Sequence, residues 1–175
     1  WGVPHIYGRT DADAVFGLLY AQCEENFTRV ERNYLEVLGR QAEADGESKL
    51  YHDLQMRLIE DSADAARDYE RSPAWFKKLL NAFADGVNYY LYKHPEVRPA
   101  VLNRFEPWFH LMFTDGSVSA TRTGGISIDE VRNFYSDKPA TTAMVKTEQL
   151  HDVELRGSNG FAIAPSRSAS KNALL

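Results

Sequence analysis

Apolar residues at Phe76, Leu79, Leu80, Phe83, Val87, Tyr90 and Leu91 recur every three or four places. That spacing puts them on one face of an α-helix, and it predicts a long helix running up to His94-Pro95. Ser72-Pro73 predicts its start, with a capping serine followed by proline at the first helical position. A second periodic stretch runs from Asp11 to about Arg40. Val15, Leu18 and Leu19 make one stripe, Phe27, Val30, Tyr34, Val37 and Leu38 continue it, and Gly39 predicts the stop. Leu54, Leu58, Ile59, Ala65 and Ala66 predict a third helix from about Leu50 to Tyr69, after a loop at 44–48.

The remaining pattern is weaker. Val3, His5 and Tyr7 alternate with Pro4 and Ile6, which predicts a short strand with proline at its edge or start. Pro107 predicts a helix through Phe113. Ser127 and Glu130 form a capping box for a helix carrying Ile128, Val131, Phe134 and Tyr135. Residues 137–157 lose the period and read as a surface linker. Phe161 and Ile163 predict a strand, PSRSAS a turn, and Ala173-Leu174-Leu175 the start of another strand. The organisation is a helical region with an N-terminal strand over 1–136, a linker or pro-segment over 137–157, and a new segment from 158 to 175. The fold class is α+β, helix-rich in this part.

Composition narrows the function classes. The 175 residues carry a net charge of -5, with 43% hydrophobic and 26% charged residues, an ordinary balance for a globular chain. The acidic balance argues against a nucleic-acid partner, since phosphate binding needs a basic face. No run of about 18 apolar residues suggests a membrane span. The single cysteine, Cys23, allows no internal disulfide. The chain opens on Trp1 inside a strand-like segment and closes on NALL as an apolar run begins, which reads as a piece of a longer protein.

Metal chemistry has little support. His5, His52, His94, His110 and His151 make no tight ligand spacing, and Gly124-Gly125 is a turn rather than a phosphate loop. No G-x-S-x-G elbow occurs. Ser168-Ala169-Ser170-Lys171 matches S-x-x-K, but it lies in a serine-rich turn and the companion S-D-N and K-T-G motifs are missing. Ser158 offers a different chemistry. If the Gly157–Ser158 bond were cut, Ser158 would carry a terminal α-amine with a pKa of about 7.7–8.0, against about 10.4 for lysine. Such an amine is partly neutral near pH 7–8 and can activate the adjacent hydroxyl. Asn159 stands beside it as a hydrogen-bonding neighbour. Taken alone, Gly-Ser-Asn-Gly also reads as an ordinary turn.

Four stretches, in order, carry a family resemblance. They are GVPHIYGRTDADAVFGLLYAQCEENFTRVERNYLEVLGRQAE at 2–43, AFADGVNYYL at 82–91, RFEPW at 104–108, and GSNGFAIAPSRSAS at 157–170. The sequence resembles the penicillin acylase family of N-terminal nucleophile amidohydrolases, which includes penicillin acylases and acyl-homoserine-lactone acylases. The second stretch is similar to the family's A-x-G-x-N-x-[YW] segment. The fourth is similar to the start of the family's β subunit.

The resemblance implies an αββα sandwich, of which this chain is the helix-rich N-terminal part. It implies self-cleavage between Gly157 and Ser158, Ser158 as nucleophile, and hydrolysis of a linear amide of a small acylated molecule. It implies α and β chains of one precursor held as a heterodimer, in the periplasm or secreted, with no nucleic-acid or membrane partner. The oxyanion-hole residues would lie past Leu175, so this piece alone would be inactive. No cofactor is required for the chemistry, but family members often hold a structural calcium; Glu130 is the nearest candidate ligand by position, beside its plainer capping-box role. The acyl pocket would fall near 118–123, with Val118, Ala120 and Arg122. There the chain departs from the penicillin G acylases, which leaves the acyl preference open, and it reads AQCEEN where many members have A-Q-D-R. Two rival readings are a non-catalytic binding protein of the same fold and the S-x-x-K acylase class through Ser168.

Overall fold

Thr10 opens the first helix. Its hydroxyl oxygen accepts the Asp13 N–H at 3.2 Å, and the Asp13 carboxylate accepts the Thr10 N–H at 3.0 Å. The pair satisfies backbone donors that a helix start leaves without partners, and α1 runs from there over Asp11–Val37. This computed structural model describes residues 2–59, 61–112, 126–136 and 166. The chain divides into two units, Trp1–Pro139 and Ala140–Leu175. All described residues belong to the first except Ser166, which is exposed in a 3₁₀ turn.

α1 is not continuous. Asn26 has φ -161° and ψ 83°, outside the helical region. Its side-chain oxygen accepts the Arg29 N–H at 3.0 Å, so it caps the second half of the helix from within. The expected stop at Gly39 is present. Gly39 takes φ 60°, which glycine adopts without strain, and the Arg40 N–H reaches back to the Leu35 carbonyl at 2.8 Å.

Asp53 then organises the next turn of chain. It is buried, and its two oxygens accept the N–H groups of Gln41 and Ala42 at 2.9 and 2.7 Å. Those are the first amides of α2, Gln41–Asp45. The helix expected over 50–69 is two helices, α3 (Leu50–Ile59) and α4 (Ser62–Arg71). The break follows from Asp61, whose carboxylate accepts the Ala63 N–H at 2.8 Å and begins a new helix. The apolar period alone does not reveal such a cap.

The long helix is α5, Ala74–Lys93. Its start differs by one residue from the expectation. Pro73 is the cap, and its carbonyl accepts the Phe76 and Lys77 N–H groups at 3.0 Å. Ser72 instead closes α4, its hydroxyl donating to the Asp68 carbonyl at 2.7 Å. Two helices compete for that serine, and the preceding one holds it. Pro107–Met112 forms a 3₁₀ helix rather than an α-helix, and α6 covers Ile128–Tyr135.

No strand occurs among the described residues. The expected strand at the N-terminus is absent: residues 2–8 are irregular, because a strand exists by pairing and no described residue pairs with them. Val3 and Tyr7 stand exposed. The described part is therefore helix-rich, as an N-terminal helical region should be, and the αββα sandwich is not seen in it.

α1 and α5 carry the core. Leu19, Cys23, Phe27, Tyr34 and Leu35 from α1 meet Val87 and Tyr90 from α5 and Phe105 from the following segment. Gly86 sets the approach of the two helices. A Cβ there would lie 2.6 Å from the Phe16 carbonyl oxygen and 3.0 Å from Leu19 Cβ. Phe105, 1% exposed, packs edge-on against Tyr34 and Phe27, with centroids 5.2 and 6.2 Å away.

Candidate functional site

Of the expected site residues, Glu130 alone is described, and it lies in the first turn of α6. One oxygen of its carboxylate accepts the Ser127 N–H at 2.7 Å and the Ser127 hydroxyl at 2.8 Å. The Glu130 N–H donates back to Ser127 Oγ at 3.2 Å. The capping box read from the sequence is present. These bonds, the backbone one first, hold the Glu130 carboxyl below its ordinary value. The next charges along α6 are also satisfied. Arg132 bonds to Asp129 at 2.8 Å and lies over the Tyr51 ring at 5.3 Å.

The start of α6 is fixed from a distance. Gln55 on α3 is buried, and its amide donates to the Ile126 carbonyl at 2.6 Å. Val131, 3% exposed, anchors the helix from below. Leu58, Ile126, Glu130, Val131, Phe134 and Tyr135 then line a cleft of about 320 Å³.

A calcium ion takes six to eight oxygen ligands. Glu130 offers one carboxylate, already bonded through one oxygen, and no three His, Cys, Asp or Glu side chains gather as a metal site among the described residues. Those residues do not by themselves fit a calcium ion. Val118, Ala120 and Arg122, the expected pocket, lie outside the described residues. So do Gly157, Ser158 and Asn159, and so does Ser168 of the S-x-x-K match.

The motif residues that are described turn out to hold the scaffold. In the segment Ala84-Asp85-Gly86-Val87-Asn88-Tyr89-Tyr90, Ala84 is buried and Gly86 admits α1. Asn88 bonds both backbone groups of Phe105, and Tyr90 stacks on Phe27 at 5.8 Å. Phe105 itself belongs to the RFEPW stretch, so two separate motifs meet in one contact. Glu31 was not singled out by its sequence. It is 2% exposed and accepts the N–H groups of Ala100, Val101 and Leu102 at 2.8–2.9 Å. Only its place among buried α1 positions, as a charge on an apolar face, signals it.

Burial also shifts the titration of buried Cys23 and half-buried His110. Burial pushes the Cys23 thiol up to about 12, which keeps it protonated and a poor nucleophile. Burial also lowers the His110 pKa, and its ring stacks on Phe83 at a centroid distance of 3.7 Å.

Comparison with known proteins decides the family, because the profile described as penicillin amidase matches residues 1–175. The chain belongs to the penicillin amidase family. Among its relatives is the penicillin acylase 2 proenzyme of Pseudomonas sp. strain SE83, 26% identical over 219 aligned residues, covering 100% of this chain and 28% of the relative. The acyl-homoserine lactone acylase QuiP of Pseudomonas fluorescens Pf-5 is 25% identical, covering 99% of this chain and 27% of that protein. The QuiP of strain Pf0-1 is 31% identical over 101 residues, 58% of this chain. The chain thus spans a little over a quarter of the length of the relatives it matches throughout. In this penicillin amidase family member the described part is helix-rich, and the motif positions at 84–90 and 105 hold it together.

Proposed function

We propose that the complete protein is a self-processing amidohydrolase that removes the acyl group from an acylated small molecule, with Ser158 as an N-terminal nucleophile. The observation that carries this reading is that the family match covers residues 1–175, and so takes in LRGSNGFAIAPSRSAS as well as the N-terminal motif. Relatives named as a penicillin acylase proenzyme and as acyl-homoserine lactone acylases support an acyl-amide substrate and a precursor form.

The chemistry follows from one residue. In the precursor, the Ser158 hydroxyl attacks the Gly157 carbonyl carbon, and an ester replaces the peptide bond. Water then cleaves that ester, leaving a Gly157 carboxylate and a free Ser158 α-amine. In the mature enzyme this amine, near its pKa of about 7.7–8.0, accepts the hydroxyl proton as Oγ attacks the substrate carbonyl. The proton passes to the departing amine. Water then attacks the acyl ester, with the same α-amine as base, and the carboxylic acid leaves. Glycine at 157 leaves its carbonyl open to the first attack, and Asn159 supplies a neighbouring amide. Val118, Ala120 and Arg122 contribute to the acyl pocket, and the two chains stay together as a heterodimer in the periplasm or outside the cell.

The test is intact mass and N-terminal sequencing of the full-length gene product, wild type beside Ser158→Ala. A wild-type chain beginning Ser-Asn-Gly-Phe, absent from the variant, is the expected result. A wild type that hydrolyses acyl amides while remaining uncut overturns the mechanism.

A further inference from the structure

Arg71 stands in the last turn of α4, and among the described residues it has no ion partner. It lines a groove of about 470 Å³ between α4 and the 3₁₀ helix of Pro107–Met112. Small-molecule sites have volumes of about 300–1,000 Å³. The floor of the groove is apolar, made by Tyr69 from α4 and by Pro107 and Trp108 from the 3₁₀ helix. That floor is anchored. Trp108 packs edge-on against buried Phe109, with centroids 4.6 Å apart. The Tyr69 hydroxyl donates to the Asn81 side-chain oxygen at 2.9 Å, and Lys77 lies over the Tyr69 ring at 5.3 Å. Ala65, fully buried, roots α4 beneath them.

The other charges lining the groove are matched. Arg67 pairs with Asp64, Glu70 with Lys77 at 3.4 Å, and Glu106 with Arg104 at 2.9 Å. One positive charge is left over, the Arg71 guanidinium. Its planar fork of donors fits a carboxylate through two parallel bonds. The negative end of α4 repels an anion that has no such cation to hold it. A flat apolar body suits the faces of Trp108 and Pro107.

From this geometry we infer that the groove between α4 and the 3₁₀ helix is a binding site for a small aromatic carboxylate, its ring on Trp108 and its carboxylate on Arg71. The inference is independent of the Ser158 chemistry, and every residue it uses belongs to the first unit.

The experiment titrates the complete protein with indole-3-acetate by calorimetry, beside indole-3-ethanol and tryptamine. The three share one ring and carry a negative, a neutral and a positive arm. The acid is expected to bind about tenfold or more tighter than the alcohol, and the amine weakest. Arg71→Gln removes that preference and weakens the acid about tenfold or more, and Arg71→Lys, which keeps the charge but loses the fork, weakens it less. Trp108→Leu weakens the acid and the alcohol alike, with an unchanged urea midpoint showing that the protein is folded. Raising salt from about 0.05 to 0.5 M weakens the acid in the wild type and not in Arg71→Gln. Equal affinity for all three ligands overturns the inference. So does acid binding that ignores Arg71→Gln, since the carboxylate is then held elsewhere. No binding of the acid also overturns it, the groove then being covered by the remainder of the longer polypeptide.

Discussion

Asn88 and Phe105 bind each other twice. The Asn88 amide donates to the Phe105 carbonyl at 2.8 Å, and the Phe105 N–H donates to the Asn88 side-chain oxygen at 2.9 Å. One side chain thus does for a segment of loop what a neighbouring strand would do, pairing both of its backbone groups. Phe105 is locked with its ring in the core, where it touches both α1 and the 3₁₀ helix.

Asn88→Ala removes both bonds and strands two buried backbone groups, at about 1–3 kcal/mol for each. The expected outcome is a folded protein less stable by about 2–4 kcal/mol, seen as a lower urea midpoint with an unchanged slope. Asn88→Asp keeps the acceptor and loses the donor, so its loss is smaller. A midpoint within error of the wild type for Asn88→Ala would show that water replaces the side chain at no cost.

Gly86→Ala tests the helix crossing. The added methyl meets the backbone of α1 at the Phe16 carbonyl, which has no flexible end to move aside. Overpacking of this kind costs about 1–3 kcal/mol, although alanine favours an isolated helix by up to about 1 kcal/mol. The net expectation is a lower melting temperature. A rise would mean that α1 and α5 slide apart freely.

His110 gives the pH dependence. Burial keeps its ring neutral in the fold at pH values where the unfolded chain, with a pKa near 6.5, has taken up a proton. Between the lowered value and about 6.5 the unfolded state binds more protons, so stability rises with pH through that window. Going from pH 7 to pH 5 should lower the urea midpoint in the wild type, and less so in His110→Gln. Equal losses in both proteins would remove His110 from the account.

The apolar period made α5 legible because its face is regular over five turns, and Gly39 and the Ser127/Glu130 box were legible because their partners are close in sequence. The breaks at Asn26 and Asp61 were not. Each is made by one polar side chain capping a backbone N–H two or three residues on, inside a stretch whose apolar spacing continues across it. The partners of Glu31, Asp53 and Asn88 were illegible for a different reason, although Asn88 itself stands in a quoted motif. They lie 69–71, 11–12 and 17 residues away, and no local pattern records a contact of that range. Of the expected site, only Glu130 falls within the described residues, in the capping role that its spacing announced.

The carboxylate of Glu31 makes the chain its own anion. Three consecutive amides at 100–102 form a small cup for negative charge, and the charge arrives from a helix some seventy residues earlier. The helix therefore cannot be traded for a surrogate by grafting apolar residues alone: any replacement for α1 must also bring a carboxylate to that height, or the loop between α5 and Phe105 loses the group that shapes it.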